Sequence, residues 1–298
     1  MGYSGRYHAA SLAAVFVALA IGILIGVGLA DDVVSGASQE LEDSLRSDLD
    51  AANGEAEDLA AKLAQERQFS DRAAPALVAG RLARQQVALI ALGELPEDTA
   101  DDAQAAIEAA GAELGSVAVI AAPLDVAALR AEAGGRFAAS RRPPSRAEAF
   151  GAAVGRQLAG GGPLIERLRD KLFARFNGDL SGVRRIVLVA QPPEELQGDL
   201  SGEGRAFTSG LLRGLDARAA GAVGIERTST DPTTLGTFSD AGIATVDDVE
   251  TGPGAVAVVY ALLGAEGDFG VKDAATSLLP DLLAFQPSPP AKRSQPAR

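Results

Sequence analysis

The chain has 298 residues, 27 of them Lys or Arg and 40 Asp or Glu, for a formal net charge of −13. That balance argues against a nucleic-acid partner, whose phosphates are held by clustered cations. With no Cys, one His and one Met, the sequence offers no disulfide, zinc finger, iron–sulfur cluster or thiol chemistry, and no His-built metal site within one chain.

Residues Ala9 to Ala30 (AASLAAVFVALAIGILIGVGLA) form 22 positions without a charge. A helix of that length rises about 33 Å, enough to cross a hydrocarbon core of about 30 Å. Tyr3, Arg6, Tyr7 and His8 precede it and Asp31 and Asp32 follow it. Basic and aromatic residues ahead of the span predict a cytoplasmic stub over residues 1–8, with everything after residue 31 on the far side of the cell membrane. Gly28-Leu29-Ala30 is a passable cleavage site, so a signal peptide is the competing reading. The apolar run exceeds the usual signal core of about 7–15 residues, which favours an uncleaved anchor. Ala14, Ala18, Gly22 and Gly26 recur every fourth residue. They place small side chains along one helix face, a candidate for self-association in the membrane, although an Ala/Gly-rich helix also shows such spacing by chance.

From Asp31 to Arg72 there are 12 acidic and 4 basic residues, a net of −8 in 42 positions. Leu41, Leu45, Leu49, Ala52, Ala56, Leu59 and Leu63 fall at steps of three and four. That spacing makes an apolar stripe with charge elsewhere, the pattern of a coiled-coil stalk over 31–72 with one stutter. Ala at two stripe positions and Gly54 inside the segment weaken it. The stripe calls for a partner helix, and a parallel homodimer continuing from the membrane span is the simplest arrangement; a solvated single helix is the alternative.

After Pro75 the texture becomes that of a globular α/β body over 75–285. Apolar runs at Gln86–Leu92, Val117–Ala121 and Arg185–Ala190, with shorter ones at Val223–Ile225 and Ile243–Val246, read as buried strands. Helical periodicity occupies Glu97–Ala110, Ala147–Leu158, Pro163–Phe176 and Glu203–Ala219, where Phe207, Leu211 and Leu215 repeat at i, i+4, i+8. Strands alternating with helices predict a mostly parallel sheet covered on both faces. The Arg141-Arg142-Pro143-Pro144 break separates two βαβ-like halves that share this sheet. The segment from Gln286 to Arg298 is Pro-rich, polar and basic, and reads as a disordered tail.

Chemical signatures are sparse. No phosphate-binding G-x-x-x-x-G-K-[ST] occurs, and Gly160-Gly161-Gly162 and Gly202-Glu203-Gly204 complete no dinucleotide fingerprint. Asp247, Asp248 and Glu250 follow the last short strand, at the edge where α/β folds place ligands. They are weak candidates for holding a hard cation, but Asp247 or Asp248 capping the next helix accounts for them better. His8, beside the membrane span, reads as an interfacial residue rather than a metal ligand or pH sensor. No catalytic residue, cofactor site or metal site is assigned, and the body is not expected to be an enzyme.

The pattern His8-x-x-Ser11-Leu12-x-Ala14-Val15-Phe16-x-Ala18-Leu19-x-x-Gly22-x-x-x-Gly26 resembles the opening of the mycobacterial copper transport protein B family. The similarity continues through the acidic stretch and returns at Val246-Asp247, Thr251, Gly254, Val258, Leu262, Phe269-Gly270 and Leu279-Pro280. The resemblance implies an envelope protein of copper homeostasis, described in the family as an outer-membrane channel or efflux component. Relatives are also linked to septal cell-wall control with a partner protein. Copper(I) prefers thiolate or thioether and copper(II) imidazole, and here the only such groups are Met1 and His8. The strands are too few and lack the alternation of a membrane barrel. Copper handling is therefore expected to be indirect, through an envelope protein partner. The alternative is a scaffold or regulator of cell-wall synthesis and septation. A hydrolase or sugar-binding body ranks last, because no nucleophile and base stand out.

Overall fold

The computed structural model describes the backbone of residues 4–137, 144–191 and 202–285, and the chain divides into two compact units, Met1–Glu66 and Arg67–Arg298. Helix α1 (Ser4–Val78) starts in the first unit and ends in the second. In the first unit the span Tyr7–Val27 has a mean hydropathy of 2.7, and none of it is buried within the chain. It is the one helix among the described residues long and apolar enough to cross a membrane. Helix also covers the acidic segment. Leu41, Leu45, Leu49, Leu59 and Leu63 lie on this helix and are each 50–61% exposed within the single chain. The tail from Gln286, and Arg141 to Pro143, lie outside the described residues.

The second unit is built on one seven-stranded sheet in the order β3-β2-β1-β4-β5-β6-β7. The strands are β1 (Gln86–Gly93), β2 (Glu113–Ile120), β3 (Phe173–Gly178), β4 (Arg185–Gln191), β5 (Gly221–Ile225), β6 (Ala244–Val246) and β7 (Asp268–Phe269). Every neighbouring pair is parallel except β2 and β3. Leu89 in β1 lies between Val117 of β2 and Val187 of β4. This is the mostly parallel sheet expected from continuous rather than alternating apolar runs, because both faces of each strand are covered.

Two hydrophobic layers sandwich the sheet. Ala88 and Ile90 face a layer containing Phe150, Leu168, Phe207 and Leu211; Val87, Leu89 and Ala91 face the other, with Ile107, Val259 and Tyr260. Helices α3 (Val126–Ala133), α4 (Pro144–Leu158), α5 (Pro163–Leu172) and α6 (Gly202–Asp216) supply the first layer. Helices α2 (Glu97–Ala109) and α8 (Gly252–Leu262) supply the second, with Ala74 and Val78 from the end of α1. The short α7 (Gly236–Ser239) adds Phe238 to the first layer. Pro75 does not end α1, which continues one further turn to place Val78 at 1% exposure. Arg81 then stacks 5.4 Å from the Tyr260 ring and donates to the Phe285 carbonyl at 2.8 Å, holding the last described residues against this layer.

One sequence expectation is corrected here. The helical spacing Leu168, Leu172, Phe176 suggests that α5 runs to Phe176, but it stops at Leu172. The chain turns extended at Phe173 (φ −106°, ψ 129°) to form β3, antiparallel to β2. Phe173 buries in the first layer, Phe176 packs beside it, and Arg169 lies 4.3 Å from the Phe176 ring. The free edge of β2 offers backbone hydrogen bonds that a further helical turn would leave unmade.

Helices α4 and α6 make the closest helix–helix contact. Gly151 and Gly155 face the carbonyls of Phe207 and Leu211, while Gly210 and Gly214 face those of Glu148 and Ala152. A Cβ at any of these four positions would collide with the opposing backbone. Gly151→Ala is therefore expected to lower stability by about 1–3 kcal/mol through overpacking. Gly54→Ala, whose surroundings are open, is expected to raise it by about 0.5–1 kcal/mol. Thermal unfolding of the detergent-solubilised chain, followed by circular dichroism, separates the two.

Candidate functional site

The carboxylates singled out after β6 do not converge. Asp247 turns toward the segment after β7 and accepts the backbone N–H groups of Val271 (2.8 Å) and Lys272 (3.0 Å). Gly270 at φ 131° brings the backbone so close to Asp247 that a Cβ would strike the carboxylate. Glu250 accepts the N–H of Thr228 at 3.0 Å. The cap of α8 is Thr251, not an aspartate: its Oγ1 accepts from Gly254 N at 3.0 Å and donates to Asp248 Oδ2 at 2.8 Å. Threonine fits because the position needs extended backbone (φ −99°, ψ 159°) and an oxygen reaching the third helical N–H. Among the described residues no group of three metal-ligating side chains forms.

Asp248 is 1% exposed, and its Oδ1 has no hydrogen-bond partner. Burial pushes its carboxyl up to about 6; the Thr251 hydroxyl opposes the shift, and the charges of Asp247 and Glu250 add to it. A group whose pKa is raised by folding takes up a proton more readily folded than unfolded.

The residues that organise this edge of the sheet are Glu226 and Lys272. Glu226 directly follows β5 at 2% exposure. Its carboxylate accepts from Thr233 Oγ1 (2.7 Å), Thr234 N (2.8 Å), Thr234 Oγ1 (3.1 Å) and Lys272 Nζ (2.6 Å). Lys272 Nζ also donates to the carbonyls of Thr230 (2.7 Å) and Arg227 (3.2 Å). A buried ion pair is worthwhile only when its spare lone pairs and protons are used, and here the 227–234 loop uses them. Arg227 in turn reaches Asp98 Oδ2 (2.8 Å) and Asp102 Oδ2 (3.2 Å) on α2. Burial raises the Asp102 carboxyl, and the Arg227 charge opposes that rise. Sequence patterns do not single out Glu226 and Lys272, which lie 46 positions apart. The one local signal is a charged residue immediately past an apolar strand end.

The loop so held forms one wall of a cleft of about 580 Å³ at the carboxyl ends of β1, β4 and β5. Pro96 and Thr99 line it from the start of α2, Gln191 from the end of β4, and Ser229, Thr230 and Thr237 from beyond β5. The strands β1 and β4 are adjacent, yet the connection after β1 (α2) covers one face and the helix before β5 (α6) the other. That divergence opens the crevice where doubly wound folds bind ligands.

The remaining sequence candidates lie on α1. Ala14, Ala18, Gly22 and Gly26 share one face, and a Cβ added at Gly22 or Gly26 would meet no other atom within 4 Å. A family model described as copper transport outer membrane protein, MctB, matches residues 3–280. The chain belongs to this family. No curated protein matches it. The family is one of copper transport, and this member carries its apolar N-terminal helix ahead of a mixed α/β body.

The donor set of this family member suits copper poorly. Asp247 and Glu250 are committed to backbone N–H groups, Glu226 to Lys272, and the chain has no thiolate and a single imidazole.

The buried carboxyl of Asp248 has a pH signature. Its contribution to stability is most favourable below pH 4, where both states are protonated, and falls as pH rises from about 4 through 6. Asp248→Asn is therefore expected to stabilise the chain at pH 7.5 by about 1–2 kcal/mol, the new amide offsetting part of the gain. At pH 4 it should bring no gain. Urea unfolding at the two pH values measures this difference.

Proposed function

We propose that this protein is a single-pass envelope protein whose role in copper homeostasis runs through protein contacts rather than through copper bound to its own side chains. The observation that carries this reading is the donor inventory. Copper(I) and copper(II) select sulfur and imidazole ligands, and the whole chain holds one Met, one His and no Cys. Met1 and His8 both lie at the start of the chain, so no soft donor follows the apolar span. The family membership supplies the link to copper, and the span Tyr7–Val27 suits a membrane anchor by length and composition. In this reading the N-terminus is cytoplasmic, the anchor is uncleaved, and the α/β body is extracytoplasmic.

A protein that works by contact needs surfaces that contacts can use, and the leucine stripe of the acidic stalk is one. Two copies held in one membrane are already in parallel register, and pairing Leu41, Leu45, Leu49, Leu59 and Leu63 across them removes from water side chains that are at least half exposed in one chain. Small residues at Ala14, Ala18, Gly22 and Gly26 continue the same pairing into the span.

Two measurements test the proposal. Titration of the full chain in nanodiscs with copper(I) and copper(II) is expected to show no stoichiometric site at submicromolar metal, and His8→Ala should restore copper tolerance to a deletion strain as fully as the native chain. Tight binding, or loss of rescue, overturns the indirect role. Because the chain has no Cys, a single Leu49→Cys substitution reports pairing cleanly. Mild oxidation is expected to give a disulfide-linked dimer, whereas Ser47→Cys, off the stripe, should remain largely monomeric on a denaturing gel.

A further inference from the structure

We infer that the cleft at the carboxyl ends of β1, β4 and β5 is a binding site for a neutral, polyhydroxylated ligand of the saccharide class. The inference rests on the cleft alone and stands or falls independently of the copper-linked role. Its volume of about 580 Å³ lies inside the range of about 300–1,000 Å³ typical of small-molecule sites.

Charge narrows the class. The one cation on the lining among the described residues, Arg227, is held by both Asp98 and Asp102, and Asp231 adds a second negative group to the wall. Behind that wall Glu226 is already neutralised by Lys272. A phosphate or carboxylate ligand would meet no free guanidinium and two carboxylates. A hard cation needs several converging oxygen anions, and no group of three acidic or imidazole side chains gathers among the described residues.

What the cleft does present is hydroxyl groups. Thr233 and Thr234 donate their hydroxyl protons to Glu226, and Thr233 Oγ1 also accepts from Leu235 N at 3.4 Å, so toward a ligand only the remaining lone pairs of the two Oγ1 atoms act, as acceptors. Ser229 and Thr237 keep rotatable O–H donors, and Gln191 adds an amide that both donates and accepts; among the described residues these three side chains bond no other group. A wall of mixed donors and acceptors, with no unpaired cation among the described residues, matches sugar hydroxyls, which are donor and acceptor at once. The same Glu226–Lys272 clasp that saturates itself on the 227–234 loop fixes the acceptors in place. Among the described residues no aromatic ring lines the cleft, so a sugar would be held by hydrogen bonds rather than by stacking.

The test is calorimetric titration of the full chain in nanodiscs with diacetylchitobiose and with trehalose, alongside inorganic phosphate and magnesium. At least one disaccharide is expected to bind saturably with one site per chain. The double variant Ser229→Ala, Thr237→Val, and separately Gln191→Leu, should each weaken that binding at least fivefold with an unchanged melting temperature. No saturation by either sugar, saturation by phosphate or magnesium instead, or native affinity in both variants overturns the assignment.

Discussion

Burial of both faces of the central β1–β4 strand pair is the constraint on which the rest of the second unit depends. Val87, Leu89 and Ala91 point one way and Ala88 and Ile90 the other, each at zero exposure. A strand with no wet face needs a helical layer on each side, and around this pair α2 leaves toward one face and α6 packs on the other. The divergence of α2 and α6 follows from that demand, and the crevice between them is its geometric by-product. The cleft is thus tied to the core: the fold cannot cover both faces of this strand pair and keep that edge closed.

Polar groups at the same edge are treated in two different ways. Glu226 and Lys272 are buried together, and every partner they hold lies on the loop or strand end they organise. Removing either partner would strand a buried charge at a cost of about 3–5 kcal/mol. Asp248, equally buried, has one oxygen bonded to Thr251 and one without a partner, and its raised pKa reflects that incomplete solvation. The first arrangement stiffens a wall; the second leaves a proton-sensitive group at the start of α8. Next to it, the chain passes so tightly that a Cβ at Gly252 would meet Ser70 of α1.

Membership of the copper transport family and the near absence of copper-seeking donors describe one protein without contradiction when the chain is taken as an organiser. Its seven strands form an open sheet clothed by helices, and its chemistry lies in hydroxyls, amides and paired charges. Groups of that kind suit recognition by shape and hydrogen bonding and are poor ligands for a soft metal. On the proposed readings the leucine stripe and the cleft are two contact surfaces of different character, one apolar and extended, the other an open cleft edged with hydroxyls.

Much of this was determined by local sequence. The 22-residue uncharged run, the acidic helix with its stripe, and the strands Gln86–Gly93, Arg185–Gln191 and Gly221–Ile225 are each set by short-range patterns of apolar and polar side chains, which act through helix and strand periodicity. What required the tertiary structure depends on distance along the chain. The fate of Phe173–Gly178 was decided by the vacant edge of β2, more than fifty positions earlier, against a helical spacing that looked intact. The glycines of α4 and α6 read as ordinary small residues until two helices met backbone to backbone. The acidic run Asp247, Asp248 and Glu250 looked like one cluster in sequence, but successive residues leave the strand end in different directions and find three separate partners. Conversely, Glu226 and Lys272, and the hydroxyls of the 227–234 loop, α2 and α7, become neighbours only because the parallel strands bring their carboxyl ends to the same edge, a juxtaposition that no local pattern encodes.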